Sequence, residues 1–124
     1  MCAVMVDYRL TEMEEKFADL IWKKAPIESP ELVKLCSKEF NWKKSTTYTM
    51  LKRLEEKKIF KNENSIVSAL IKREDFYAEQ SKIFVIQNFG GSLPKFLAAF
   101  TRSSKLSDNE IEELQKLIDE HKEV

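Results

Sequence analysis

The chain has 124 residues, with 21 basic against 21 acidic side chains, one histidine, two cysteines and two glycines. That length holds one compact domain of about 80 residues plus an appended element, and the balanced charge leaves only its distribution along the chain to point to a polyanionic partner. With only Cys2 and Cys36 there is neither a disulfide framework nor a thiolate metal site, which fits a reducing cytoplasm, and no apolar stretch approaches the length of a membrane span.

The opening segment MCAVMVDYRL lacks the positive start and extended apolar run of a signal peptide. Thr11 and Glu14 have the spacing of a capping box, and Met13, Phe17, Leu20 and Ile21 recur at helical period, so a first helix is predicted from Thr11 to Lys24. Ala25, Pro26 and Ile27 break it. Ser29 before Pro30 reads as an N-cap followed by proline at the first helical position, and Leu32, Val33, Cys36 and Phe40 give the second helix its buried face. After a short turn at Asn41 and Trp42 comes a third helix, 45–57. At 100° per residue Thr47, Met50, Leu51 and Leu54 face inward, while Ser45, Thr49, Lys52 and Glu56 run down the other side with Thr46 and Arg53 beside them.

Ile59 and Phe60, then Ile66, Val67, Leu70 and Ile71, are β-prone pieces around a polar turn from Lys61 to Ser65, which predicts an antiparallel hairpin. Three helices followed by a hairpin is the winged helix-turn-helix order. Farther on, Phe76, Ile83, Ile86 and Phe89 share one side of a helix that Gly90 and Gly91 interrupt. Ser92 and Pro94 restart a helix carrying Leu93, Phe96, Leu97 and Phe100, and a second capping box, Ser107 with Glu110, opens one with Ile111, Leu114, Leu117 and Ile118. Each helix is too short to bury its apolar face alone, so these twelve residues are assigned to pairing with a second copy of the chain, in preference to folding back on the same core. The expected fold class is mainly α with a small β element: a winged helix-turn-helix DNA-binding domain over 1–74 and a helical dimerisation region over 75–124.

Charge follows the same division. Between Asn41 and Asn62 there are seven basic residues against two acidic ones, and from Leu106 to Val124 two against seven. A helix with hydroxyls near its start and cations along one side suits a DNA groove: Ser45, Thr46 and Thr49 would meet base edges or thymine methyls, and Lys43, Lys44, Lys52 and Lys61 phosphates. Arg53 belongs to the same surface, with a carboxylate as its competing partner. Tyr48 is expected to pack under the hairpin in preference to stacking on the DNA backbone, and Trp42 to anchor the core between the second and third helices in preference to stacking on a base. Enzyme chemistry has little to stand on, since His121 is the sole histidine and there is no glycine-rich phosphate loop. Glu112, Glu113, Asp119, Glu120 and His121 read as a solvated helix face, so neither metal nor cofactor is assigned. The alternative class is a winged-helix module that binds a protein and no DNA, against which the basic stretch speaks.

Together these segments resemble the penicillinase and methicillin-resistance repressor family (the BlaI and MecI group, with CopY repressors as relatives). LTEMEEKFADLIWKKAPIESPELVKLC is similar to its opening two helices, WKKSTTYTMLKRLEEKKIF to its recognition helix, and GSLPKFLAAF and LSDNEIEELQKLIDE to its dimerisation region. The resemblance implies a homodimeric transcriptional repressor on a palindromic double-stranded operator, controlling beta-lactam resistance or related genes. It also implies a membrane sensor protease as a partner, with no insertion of the repressor itself into the membrane. In the family, cleavage at an Asn-Phe bond inactivates the repressor; the matching pair here is Ala99 and Phe100, so the asparagine is missing. The tail lacks the Cys-x-Cys motifs of the copper-responsive relatives. Lys58 stands where the family has a glycine after the recognition helix, and the wing segment SIVSALI carries none of the family's basic and tyrosine residues.

Overall fold

The computed structural model describes residues 5–122. Its elements in chain order are α1 (Glu12–Lys24), β1 (Ile27–Glu28), α2 (Ser29–Phe40), α3 (Lys44–Glu56), β2 (Phe60–Glu63), β3 (Ile66–Ala69), α4 (Arg73–Phe89), α5 (Leu93–Ser103) and α6 (Asp108–Glu120). This is a mainly helical chain with a small antiparallel sheet, a winged helix followed by further helices. It divides into two compact units, the first ending at Ser81 and the second beginning at Lys82.

Local chemistry explains most of the boundaries. At α1 the Thr11 hydroxyl accepts from the Glu14 amide (3.1 Å) and the Glu14 carboxylate accepts from the Thr11 amide (2.8 Å), so two amides that the helix leaves unpaired are satisfied reciprocally. The start of α2 differs from the expected serine cap. Glu28 occupies the cap position without a side-chain hydrogen bond, and Ser29 is the first helical residue, buried at 3% exposure. The cause is tertiary: the Ser29 amide donates to the Ser65 carbonyl (2.8 Å), and its hydroxyl meets Tyr48.

The hairpin is tighter than expected. Glu63 pairs with Ile66, so only Asn64 and Ser65 turn, both at positive φ (53° and 62°), the geometry of a two-residue turn whose twist matches the strands. Lys61 to Glu63, read as turn from their polarity, are strand residues. A third strand that sequence periodicity did not reveal, β1, pairs Ile27 with Val67 and Glu28 with Ile66, giving the sheet order β1-β3-β2. At two residues it is too short to show alternation.

The core of the first unit joins Phe17, Ala18 and Ile21 of α1, Leu32 and Cys36 of α2, Leu51 and Leu54 of α3, and Ile59, Phe60 and Val67 around the sheet. Phe76 of α4 belongs to it too, fully buried against Tyr8 and Trp22 at ring-centroid distances of 5.1 and 5.4 Å. This corrects two expectations. Phe76 is core of the first unit instead of dimerisation surface, and the unit runs past residue 74 because the first turns of α4 pack on it through Phe76, Tyr77 and Gln80, whose amide donates to the Tyr8 carbonyl. Trp22 fastens the same corner, its indole N–H donating to the Ile71 carbonyl at 3.0 Å.

The second unit is built differently. Gly90 and Gly91, both at positive φ, end α4; Ser92 caps α5 through the Lys95 amide; and Ser107 and Glu110 form the expected capping box of α6. Phe84, Phe89, Phe96 and Phe100 form a chain of tilted and edge-on ring contacts with centroids 5.4–6.3 Å apart. Among the described residues of this unit none is buried.

Candidate nucleic-acid interface

Helix α3 separates its two faces as its sequence dictates. Thr47, Leu51 and Leu54 are buried, and the Thr47 hydroxyl bonds back to the Lys43 carbonyl (3.4 Å), which spares it from being an unpaired polar group in the core. Beside it the Cys36 thiol is pushed up to about 11 by burial, with the neighbouring Thr47 hydroxyl offsetting only part of the effect, so this cysteine is an inert packing residue. On the opposite side Lys43, Lys44, Ser45, Thr49, Lys52 and Arg53 are exposed and Thr46 is half-buried at the margin.

The start of α3 is open. Lys43 holds the cap position with no side-chain hydrogen bond, and no acidic residue stands in the first turn. The first backbone amides and the positive end of the helix dipole therefore face solvent beside two lysines, an arrangement that favours an anionic group.

Ion pairs sort the basic stretch into free and occupied cations. Among the described residues Lys43, Lys44, Lys52 and Arg53 have no carboxylate partner; Arg53 points one guanidinium nitrogen at the Met50 sulfur (3.6 Å). Lys61, the phosphate donor assigned to the wing, pairs with Glu63 two residues along the same face of β2, at 3.0 Å. Both are exposed, so this pair holds Lys61 only weakly. Lys57 is the residue that counting charges misplaces. Its ammonium lies 3.0 Å from the Glu14 carboxylate, which is only 3% exposed.

Near the wing tip Asn64 and Ser65 are exposed, whereas the side-chain amide oxygen (Oδ1) of Asn62 is buried with no hydrogen-bond partner among the described residues. Trp42 packs on Phe17 of α1 and Phe40 of α2, with centroids at 5.1 and 4.8 Å; it packs against the core as expected, but the rings it meets belong to the first and second helices instead of the second and third. Tyr48 also packs inward, though toward α2: its hydroxyl reaches Ser29.

The residues assigned to dimerisation, Phe76 apart, lie in the second unit. Ile83, Phe89, Phe96, Leu97 and Leu114 are half-buried, while Ile86, Leu93, Phe100, Ile111, Leu117 and Ile118 are between 45% and 63% exposed. A groove of about 500 Å³ runs between α5 and α6, lined by Phe96, Leu97, Phe100, Leu106, Leu114 and Leu117 together with Glu110 and Glu113. Ala99 and Phe100 are exposed inside α5, in helical backbone. Among the described residues no three His, Cys, Asp or Glu side chains come together as a metal site, and no helix is long and apolar enough to cross a membrane.

The sequence model of the penicillinase repressor family matches residues 10–120, spanning both units. The chain belongs to the penicillinase repressor family. Its similarity to individual members is modest but nearly full-length. The penicillinase repressor of Bacillus licheniformis is 28% identical over 118 residues, 92% of each chain. The penicillinase repressor of Staphylococcus aureus is 28% identical over 106 residues, covering 82% of this chain and 84% of the relative. The methicillin resistance regulatory protein MecI of Staphylococcus aureus (strain Mu50 / ATCC 700699) is 25% identical over 115 residues, 90% and 94% respectively. In this member the position after the α3 cap residue, Lys58, adopts the left-handed conformation (φ 65°) without glycine. The Lys58 amide donates to Glu55 and the Ile59 amide to Leu54, the paired bonds of a left-handed helix stop, and buried Ile59 and Leu54 close it.

Proposed function

We propose that this chain is a homodimeric transcriptional repressor that places α3 in the major groove of a palindromic duplex, one half-site per subunit, and that its targets are antibiotic-resistance genes of the kind its relatives are named for. The observation that carries the reading is the solvent face of α3: hydroxyls and unpaired cations around an uncapped, acid-free helix start, on a winged-helix scaffold. Lys43, Lys44 and Lys52 neutralise phosphates, and Ser45, Thr46 and Thr49 address base edges. Lys61, tethered to Glu63, adds a secondary phosphate contact from the wing.

Dimerisation is supported by the second unit, which buries no described residue of its own yet presents a row of large apolar side chains. Covering the exposed half of such a side chain contributes roughly 1 kcal/mol, so several of them together support a stable pair. Two half-site contacts then act as one bivalent contact.

The test is selection by the full-length protein from a pool of randomised inverted repeats, followed by titration of the selected duplex at several salt concentrations and sedimentation of the free protein. A dimer mass, a preferred spacing and an affinity that falls steeply with salt are expected. A monomer that selects no duplex at low salt would overturn the proposal and leave the protein-interaction module standing.

A further inference from the structure

Lys57 sits at the end of α3, within the basic stretch, yet its charge is turned away from solvent. The ammonium donates to the Glu14 carboxylate (3.0 Å) and to the Arg9 carbonyl. On the backbone of the same residue, the Lys57 carbonyl accepts from the Asp7 amide at 3.0 Å. Glu14 is in turn held by the Thr11 amide (2.8 Å). The segment from Asp7 to Glu14 thus grips the C-cap residue of α3 at three points, one step before the left-handed Lys58 that sends the chain into β2.

We propose that Lys57 and Glu14 are positioning residues for DNA recognition: this pair, a buried carboxylate with a half-buried ammonium, sets the direction of the recognition helix and its junction with the wing, and Lys57 contacts no phosphate. This rests on the DNA-binding reading above. Helix direction decides which base edges Ser45, Thr46 and Thr49 reach, so a loosened pair lowers discrimination while leaving the count of phosphate contacts unchanged.

The distinguishing experiment compares Lys57→Met, Glu14→Gln and Lys52→Ala in the full-length protein, at a temperature where circular dichroism shows each to be folded. Binding is measured across salt on the selected inverted-repeat duplex and on a scrambled duplex of equal length. Lys57→Met is expected to lose about tenfold in preference for the selected duplex, the size of one base contact, with an unchanged salt slope. Glu14→Gln, which keeps the shape and the Thr11 hydrogen bond, is expected to lose in the same sense. Because Glu14 is buried and acidic, its effect cannot come from touching DNA. Lys52→Ala, on the exposed face, should lower the salt slope by about one.

A drop of about one in the salt slope of Lys57→Met would make it a phosphate ligand and overturn the inference alone. So would full preference for the selected duplex in both folded variants, which would reduce the pair to a stability element. Failure of the unaltered protein to bind any duplex would instead overturn the DNA-binding reading and this inference with it.

Discussion

The Tyr48 hydroxyl lies 3.1 Å from the Ser29 hydroxyl, joining the middle of α3 to the first residue of α2. Both side chains are shielded, so the bond replaces water that neither group can recover cheaply. Tyr48→Phe is expected to lower unfolding stability by about 1 kcal/mol, measured by urea denaturation with an unchanged slope. In a Ser29→Ala background the same change should cost much less, because the partner has already gone.

Lys58 holds a left-handed backbone conformation that its side chain disfavours, and that side chain is exposed. Glycine removes the clash at the price of a more flexible unfolded chain, with a net gain of roughly 0.5–1 kcal/mol. Lys58→Gly should therefore raise the melting temperature. Lys58→Ala, which keeps the clash, should not, and equal melting of the two would contradict the backbone argument.

Acid should release the α1–α3 junction. Burial alone pushes the Glu14 carboxyl up, but the hydrogen bond from the Thr11 amide and the Lys57 ammonium outweigh it and hold the group below its usual value of 4.5. A carboxyl depressed in the folded state binds its proton more readily when unfolded. Its contribution is thus complete above the unfolded value and fades as the pH falls through the folded one. Stability measured from pH 6 downward should decline more steeply below about 4.5 in the unaltered protein than in Glu14→Gln. Parallel curves would show that the pair does not titrate as described.

The solvent face of α3 makes two distinct demands. Thr49→Ala and Thr46→Ala should each reduce discrimination between the selected duplex and random DNA by ~1–3 kcal/mol. The Thr49 effect is the cleaner one, because Thr46 is half-buried and a melting curve must accompany it. Lys44→Ala should weaken both kinds of binding and flatten the salt dependence. Unchanged discrimination in the threonine variants would remove those base contacts.

Much of this architecture could be read from local patterns. The capping boxes at Thr11 and Ser107 start α1 and α6 where their spacing predicts, and the 100° periodicity of α3 separates Thr47, Leu51 and Leu54 from Ser45, Thr49 and Lys52 as the structure does. These succeed because a cap is a contact over three residues and a helical stripe depends only on spacing. The exposed cations at the start of α3 are legible for the same reason.

What eluded such reading depends on partners far along the chain. Nothing near Lys57 shows that its charge belongs to Glu14, 43 residues away. Ser29 looks like a helix cap until Ser65 and Tyr48 claim it, and Phe76 resembles the apolar residues that follow it until Tyr8 and Trp22 enclose it. Residue order alone thus specifies the helices, their polar faces and the kind of surface they offer. Packing in space assigns each lysine to solvent or to a buried carboxylate and each phenylalanine to its own core or an open face, because hydrogen bonds and burial are satisfied by whichever group arrives, however distant in the chain.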